Sequence, residues 1–321
     1  MSIRNQALTL AFAALLGGAA GAQAWPHKPV RFIVNFPPGG GADIAARLLG
    51  ERLRKTWASP VVVENRPGAG GGIGAAEVAR ATPDGHTLLF TPATPITAVA
   101  YLPEKPPYTP ERDFSPVTNV AQGPMVLVVA AASPFKSVEE LIQAAKARPG
   151  KLSFGHGGAG SQPHLAAENF VWQAKIDVLG VPYRGAAPGL VGLAAGDTDF
   201  FVATLPSAIS YINGGRLRAL GVTTKVPAPQ LRGVPPIADT LEAFEVLSWY
   251  GLLAPSATPD GIVQKIYRDT KSILESVELA ERYFELGLAA VGTTPAEFAS
   301  AIRDEMAVWS RIAKDRPLKA P

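Results

Sequence analysis

A β-branched segment that runs into a cluster of glycines and out into a helical period occurs twice near the start of this chain. No other feature narrows the fold as much. Val30-Arg31-Phe32-Ile33-Val34 reads as a strand, Pro37 to Gly41 breaks it, and Ala42 to Trp57 carries Ile44, Leu48 and Leu49 at helical spacing. Val61-Val62-Val63 repeats the order, through Gly68 to Gly72 and an alanine-rich helix to Arg80, and Thr87 to Phe90 supplies a third strand. Strands alternating with helices predict a parallel sheet and an α/β fold.

From Tyr101 to Pro116 the chain is rich in proline and charge without a clear period, which suits a connector. A second alternating series follows, with strands expected at Met125–Ala130, Lys151–Phe154, Val178–Pro182, Asp199–Val202 and Arg218–Val222 and helices between them. Pro227 to Pro236 is a further proline-rich connector; beyond it Trp249 to Ala254 is strand-like and amphipathic helices close the chain. Connectors on either side of the middle series predict that the chain leaves a first domain and returns to it. The expected division is residues 25–120 plus 225–321 for the first α/β lobe and 121–224 for the second, with a hinge and a cleft between them.

The first 24 residues hold one charge, Arg4, an apolar run from Ala7 to Ala20, and the small-x-small triplet Ala22-Gln23-Ala24. This predicts a cleavable secretory signal peptide with cleavage before Trp25, because the run is shorter than the roughly 20 residues a spanning helix needs. The sequence contains no cysteine, so neither disulfides nor a lipid anchor on cysteine are expected, and the exported protein should be free in its compartment. Without the leader 29 basic residues face 27 acidic ones, a balance that favours no particular partner. Basic runs interleaved with aromatics are missing, which argues against nucleic acid.

Phe36-Pro37-Pro38-Gly39-Gly40-Gly41-Ala42-Asp43 places a glycine turn between a strand and a helix. Such a turn leaves backbone N–H groups free at the positive end of a helix dipole, where glycine lets an oxygen approach; a carboxylate or phosphate fits there. The other reading is a tight turn in which Asp43 stabilises the helix start. Gly70-x-Gly72-x-x-Ala75 resembles a dinucleotide fingerprint, but its first glycine stands six residues past Glu64, too far from the strand, so a loop shaping the cleft is expected. In the middle series, Gly155 to His164 again follows a strand and opens a helix. There Ser161 either caps the helix or meets a ligand oxygen, and His164 either packs in the first turn or contacts the ligand. Gly158-x-Gly160-Ser161 puts the serine one place late for a hydrolase elbow, and the four histidines lack metal spacing. No enzyme, cofactor or metal is expected.

Taken in order, several stretches resemble the Bug family of extracytoplasmic solute receptors, the binding-protein component of tripartite tricarboxylate transporters. They are Phe36 to Asp43, Val63 to Gly71, Pro83 to Leu89, Ala144 to Leu152, Gly160 to Leu165, Val181 to Gly185, Leu217 to Thr223 and Trp249 to Pro255, and they cover nearly the whole chain after residue 24. The resemblance implies a two-lobed, type II periplasmic binding protein of the Venus-flytrap kind, with a small organic acid as ligand and integral membrane transporter subunits as partners, working as a monomer. A sensor feeding a signalling partner and a secreted enzyme acting on a small acid are the alternatives. Carried over by position, Phe36, Pro38, Gly39, Gly40, Gly41 and Asp43 face the ligand, with Ala93 and Thr94 nearby. Gly157, Gly158, Ser161, His164, Tyr183, Arg184, Gly185, Ala203 and Thr204 complete the wall; Tyr183 is otherwise core and Arg184 otherwise a solvated charge. Two positions depart from the family pattern: His86 stands where tyrosine is more usual, and Ala159 where asparagine often stands.

Overall fold

The computed structural model describes residues 25–98 and 105–315; the expected leader, residues 1–24, lies outside them. Among the described residues ten strands form in chain order: β1 (Val30–Val34), β2 (Val61–Asn65), β3 (Thr87–Pro92), β4 (Phe114–Ala130), β5 (Ser153–His156), β6 (Leu179–Pro182), β7 (Phe200–Thr204), β8 (Leu217–Val222), β9 (Leu247–Pro255) and β10 (Ala289–Ala290). The helices used below are α1 (Gly41–Trp57), α2 (Gly72–Ala79), α3 (Val138–Ala147), α4 (Gln162–Ala174), α5 (Ala186–Ala195), α6 (Leu205–Asn213), α7 (Asp260–Leu274), α8 (Val277–Glu285) and α9 (Pro295–Asp315). No helix among the described residues is long and apolar enough to cross a membrane.

The strands run in the order β2-β1-β3-β9-β4-β7-β5-β6, with β8 and β10 also paired to β4. The expected parallel pairing occurs where helices connect the strands, at β1–β2, β1–β3, β5–β6 and β5–β7. The strands that carry the chain between lobes, β4 and β9, pair antiparallel, so the sheet is mixed. Each half buries both of its faces, as a sheet covered by helices on both sides must. In the first half Val30, Phe32 and Val34 join the core under α1 and α7, while Ile33 joins Leu89, Phe298 and Ile302 on the opposite face. In the second half Met125, Leu127 and Val129 pack with Phe170 and Phe200, and Val126 and Val128 with Phe201 and Leu190. Alternation along a strand puts successive residues in different cores, which explains why Met125 to Ala130 of β4 reads as one unbroken apolar run.

The lobes are joined where β4 changes partners. Phe114 to Pro124 pair with β9, whereas Met125 to Ala130 lie between β7 and β8. The return crossing runs beside it. Buried Thr223 accepts the Met125 N–H at its hydroxyl (2.8 Å) and donates to the Val246 carbonyl (2.6 Å), tying the two crossing segments together. Residues 225–246, expected with the first lobe, pack on the second: Ile237 and Phe244 sit in the core with Phe170, and Ala228 and Leu231 in the core with Phe201. Proline dominates that stretch and hides its few apolar anchors, so composition suggested a connector where the chain in fact completes a core.

Candidate functional site

Four helices begin at one place between the lobes. The cavity there is lined by Phe36, Pro37, Gly40, Gly41, Ala42, Pro92 and Tyr250 from the first lobe and by Gly157, Ser161, Gln162, Pro163, Ala186 and Thr204 from the second. Gly40 is the N-cap of α1, Ser161 of α4, Gly185 of α5 and Thr204 of α6. No side chain caps α1, α5 or α6, so their first-turn N–H groups are left without side-chain partners. The cavity admits the centre of a water-sized sphere over about 40 Å³, beyond the roughly 10–15 Å³ that one water requires.

Its walls carry no charged side chain. Fixed positive potential comes from helix termini, each equivalent to roughly half a unit charge at its N-terminus. The lobes meet closely at this point: a Cβ on Gly185 would lie 2.9 Å from Cγ of Pro37, and one on Gly39 would lie 3.4 Å from Cβ of Ala187. At a second cross-lobe contact, a Cβ on Gly70 would lie 2.8 Å from the Ala159 carbonyl oxygen. The second glycine loop therefore touches the second lobe, although none of its residues lines the cavity.

Of the positions expected to face a ligand, Phe36, Gly40, Gly41, Gly157, Ser161 and Thr204 line the cavity. Pro38, Gly39, Gly158 and Gly185 belong to the same loops but stand outside the lining. Asp43 is turned back: its Oδ2 accepts the Gly39 N–H (3.1 Å), and its Oδ1 takes Asn65 Nδ2 (3.0 Å) and Arg47 (2.8 Å). Burial alone would raise this carboxyl, but those three partners hold it below the usual carboxylate range. Ser161 caps α4 at the His164 N–H (3.4 Å) and donates to the Gly158 carbonyl (2.7 Å). His164 Nδ1 accepts the Gly160 N–H (3.2 Å), which places the ring proton on Nε2, and the ring stacks 4.3 Å from His156. Burial lowers both imidazoles, His156 to about 4.

The remaining expected positions are set back from the cavity. Ala93 and Ala203 are core residues. Thr94 is buried with its hydroxyl unpartnered. Tyr183 packs over Gly192 and Gly189 of α5, and Arg184 points into solvent. Pro37, Ala42, Pro92, Gln162, Pro163, Ala186 and Tyr250 line the cavity without having been expected there, and Tyr250 is the one with no local signal. It lies on β9 opposite Pro92, a pairing 158 residues apart in the chain, and no local motif announces it. A Cβ at Gly41 would collide with its hydroxyl, so the third glycine of the first loop is dictated by Tyr250.

Two lobes on crossed strands, with a cleft built from helix N-termini, define a periplasmic binding protein. The solved structure of the periplasmic binding protein BugD superposes with a TM-score of 0.87 at 30% identity, covering 92% of this chain and 99% of that one. A family model described as "Tripartite tricarboxylate transporter family receptor" matches residues 45–318, and the chain belongs to that family. Protein BugT of Bordetella pertussis is 33% identical over 96% of both chains. Two further structures from Rhodopseudomonas palustris are similar. Rpa4515 with adipate has a TM-score of 0.87 at 33% identity over 90% of this chain and 97% of its own; MatC with bound malate has 0.86 at 29% over 90% and 99%.

Proposed function

We propose that this chain is a periplasmic receptor that captures a small organic carboxylate in the interlobe cleft and delivers it to the membrane subunits of a tripartite transporter. The observation that carries the proposal is the convergence of four helix N-termini on a cavity without charged side chains. An anion gains from all four dipoles there, and no side-chain counter-charge has to be desolvated. Adipate and malate in the two relatives support the same class of ligand.

Three of the helix starts belong to neither the same loop nor the same lobe as α1, so a carboxylate seated between them and α1 favours the approach of the lobes. Ligand-dependent closure requires tighter binding to the closed form than to the open one. The mature protein is residues 25–321, a monomer exported by residues 1–24, and it returns its ligand chemically unchanged.

The test is thermal denaturation of residues 25–321 with malate, adipate, citrate, glutamate and benzoate, using phosphate and glucose as controls. At 100 times the dissociation constant, a true ligand adds about 2.7 kcal/mol of stability. NMR of the ligand after overnight incubation should show it unaltered. Stabilisation by glucose alone, or by none of the acids, would refute the carboxylate reading.

A further inference from the structure

We infer that the hydroxyl of Tyr250 is a ligand-binding group that donates a hydrogen bond to a carboxylate oxygen in the cleft. This rests on the carboxylate reading above and assigns that site its one side-chain donor from the first lobe.

The argument begins with where the proton of this hydroxyl can go. Tyr250 is 1% exposed, its ring lies in the first-lobe core, and its hydroxyl makes no hydrogen bond. The nearest hydroxyls are those of Thr204 and Ser248. Ser207 donates to the Thr204 carbonyl (2.8 Å), so the contact between the Ser207 and Thr204 hydroxyls (3.0 Å) is donated by Thr204. Ser248 donates to Gln162 Oε1 (3.0 Å). Both neighbours have committed their protons and could meet the Tyr250 hydroxyl only as acceptors; both oxygens lie near it, but neither contact reaches the geometry of a hydrogen bond. A buried phenol without a partner is unfavourable, and unlike the other unpartnered hydroxyls, such as that of Thr94, this one belongs to a residue that lines the cavity.

The position of the hydroxyl supplies the reason for keeping it. It abuts the Cα of Gly41 at the first residue of α1 and lies beside Thr204 at the start of α6, so it sits between helix termini of opposite lobes. Burial raises its pKa, which keeps the proton on the oxygen at any physiological pH. Ser248, two residues earlier on the same face of β9, reaches α4 through Gln162. The strand next to the hinge thus directs two hydroxyls at the second lobe, one already paired across the cleft and one free for a ligand.

The test is Tyr250→Phe in residues 25–321, read by urea denaturation without ligand and by calorimetric titration with the five acids named above. Loss of a hydrogen bond to a charged group predicts about 10- to 100-fold weaker binding of whichever acid the wild type takes. Because the hydroxyl has no protein partner, the urea midpoint of the free variant should be unchanged or higher. Equal affinity in the two proteins overturns the inference while leaving the carboxylate reading standing. A clearly lower urea midpoint overturns it too, since the hydroxyl would then be serving the fold. A wild type that binds none of the acids fails the carboxylate reading itself, and the inference falls with it.

Discussion

The cleft loops of the two lobes look alike as sequence, glycines between a strand and a helix, yet the first is pinned by a charge and the second by neutral groups. In the first, Asp43 gathers the Gly39 N–H, Asn65 and Arg47 onto one carboxylate. In the second, Ser161 and His164 divide the work, the hydroxyl holding Gly158 and the imidazole holding Gly160. An ionised carboxylate accepts several donors at once, whereas a hydroxyl and a neutral imidazole each accept in few directions. The first arrangement concentrates its strength in one residue. The second distributes it and makes it conditional on imidazole protonation.

Acid should therefore separate the two loops, and this is the largest effect expected. His156 is depressed to about 4 from an ordinary value of 6.5, so between those limits the unfolded chain holds a proton that the folded chain refuses. Stability is intact above pH 6.5 and falls as pH drops toward 4, by about 3 kcal/mol in total. His164 shifts in the same direction, and a proton on its Nδ1 would set two donors against each other at Gly160. Asp43 lies below the usual carboxylate range, so its contribution survives this window and is lost only in stronger acid. Urea denaturation at pH 7, 5.5 and 4.5 should show the loss in wild type and a shallower one in His156→Gln. Equal slopes would remove the pH contrast between the loops.

The charge that holds the first loop should be the costliest single side chain at neutral pH. Asp43→Ala leaves the Gly39 N–H without its partner, while Asn65 keeps the Phe36 carbonyl and half-exposed Arg47 keeps Asn65. We expect a loss of about 2 kcal/mol by urea denaturation at pH 7, discounted for that exposed arginine. Asp43→Asn should recover part of it, because the amide oxygen still accepts. A loss no greater than that of the serine variant discussed below would show that the charge contributes nothing special.

Much of this was legible from local pattern, because a strand, a glycine turn and a helix start are written within a dozen consecutive residues. Gly40, Gly41, Gly157 and Ser161 could be placed at the cleft on that basis. Tyr250 could not, since its position depends on β9 pairing with β3, and a tyrosine within an apolar strand looks like any core residue. The continuity of β4 was also hidden: a strand was expected only from Met125, whereas in the structure Phe114 to Ala130 form one strand that changes partners after Pro124. Asp43 and His164 were expected among the residues facing the ligand, but their direction, back toward their own loops, is set by Asn65, Arg47 and Gly160 and has no signature in spacing.

The smallest effect expected is also the sharpest test of how the second loop is held. Ser161→Ala removes the cap on α4 and the bond to the Gly158 carbonyl, yet leaves Gly160 held by His164. Caps of this kind contribute about 1 kcal/mol, and the cap bond here is long at 3.4 Å, so the loss should not exceed that figure at pH 7. Divided support makes a further demand: at pH 5 the same substitution should be more damaging, because the imidazole that shares the load is then being challenged by acid. Measuring the serine variant against wild type at pH 7 and pH 5 decides the point. A penalty that grows in acid means hydroxyl and imidazole hold one loop together, while a constant penalty means that they act independently and that Ser161 serves only its helix.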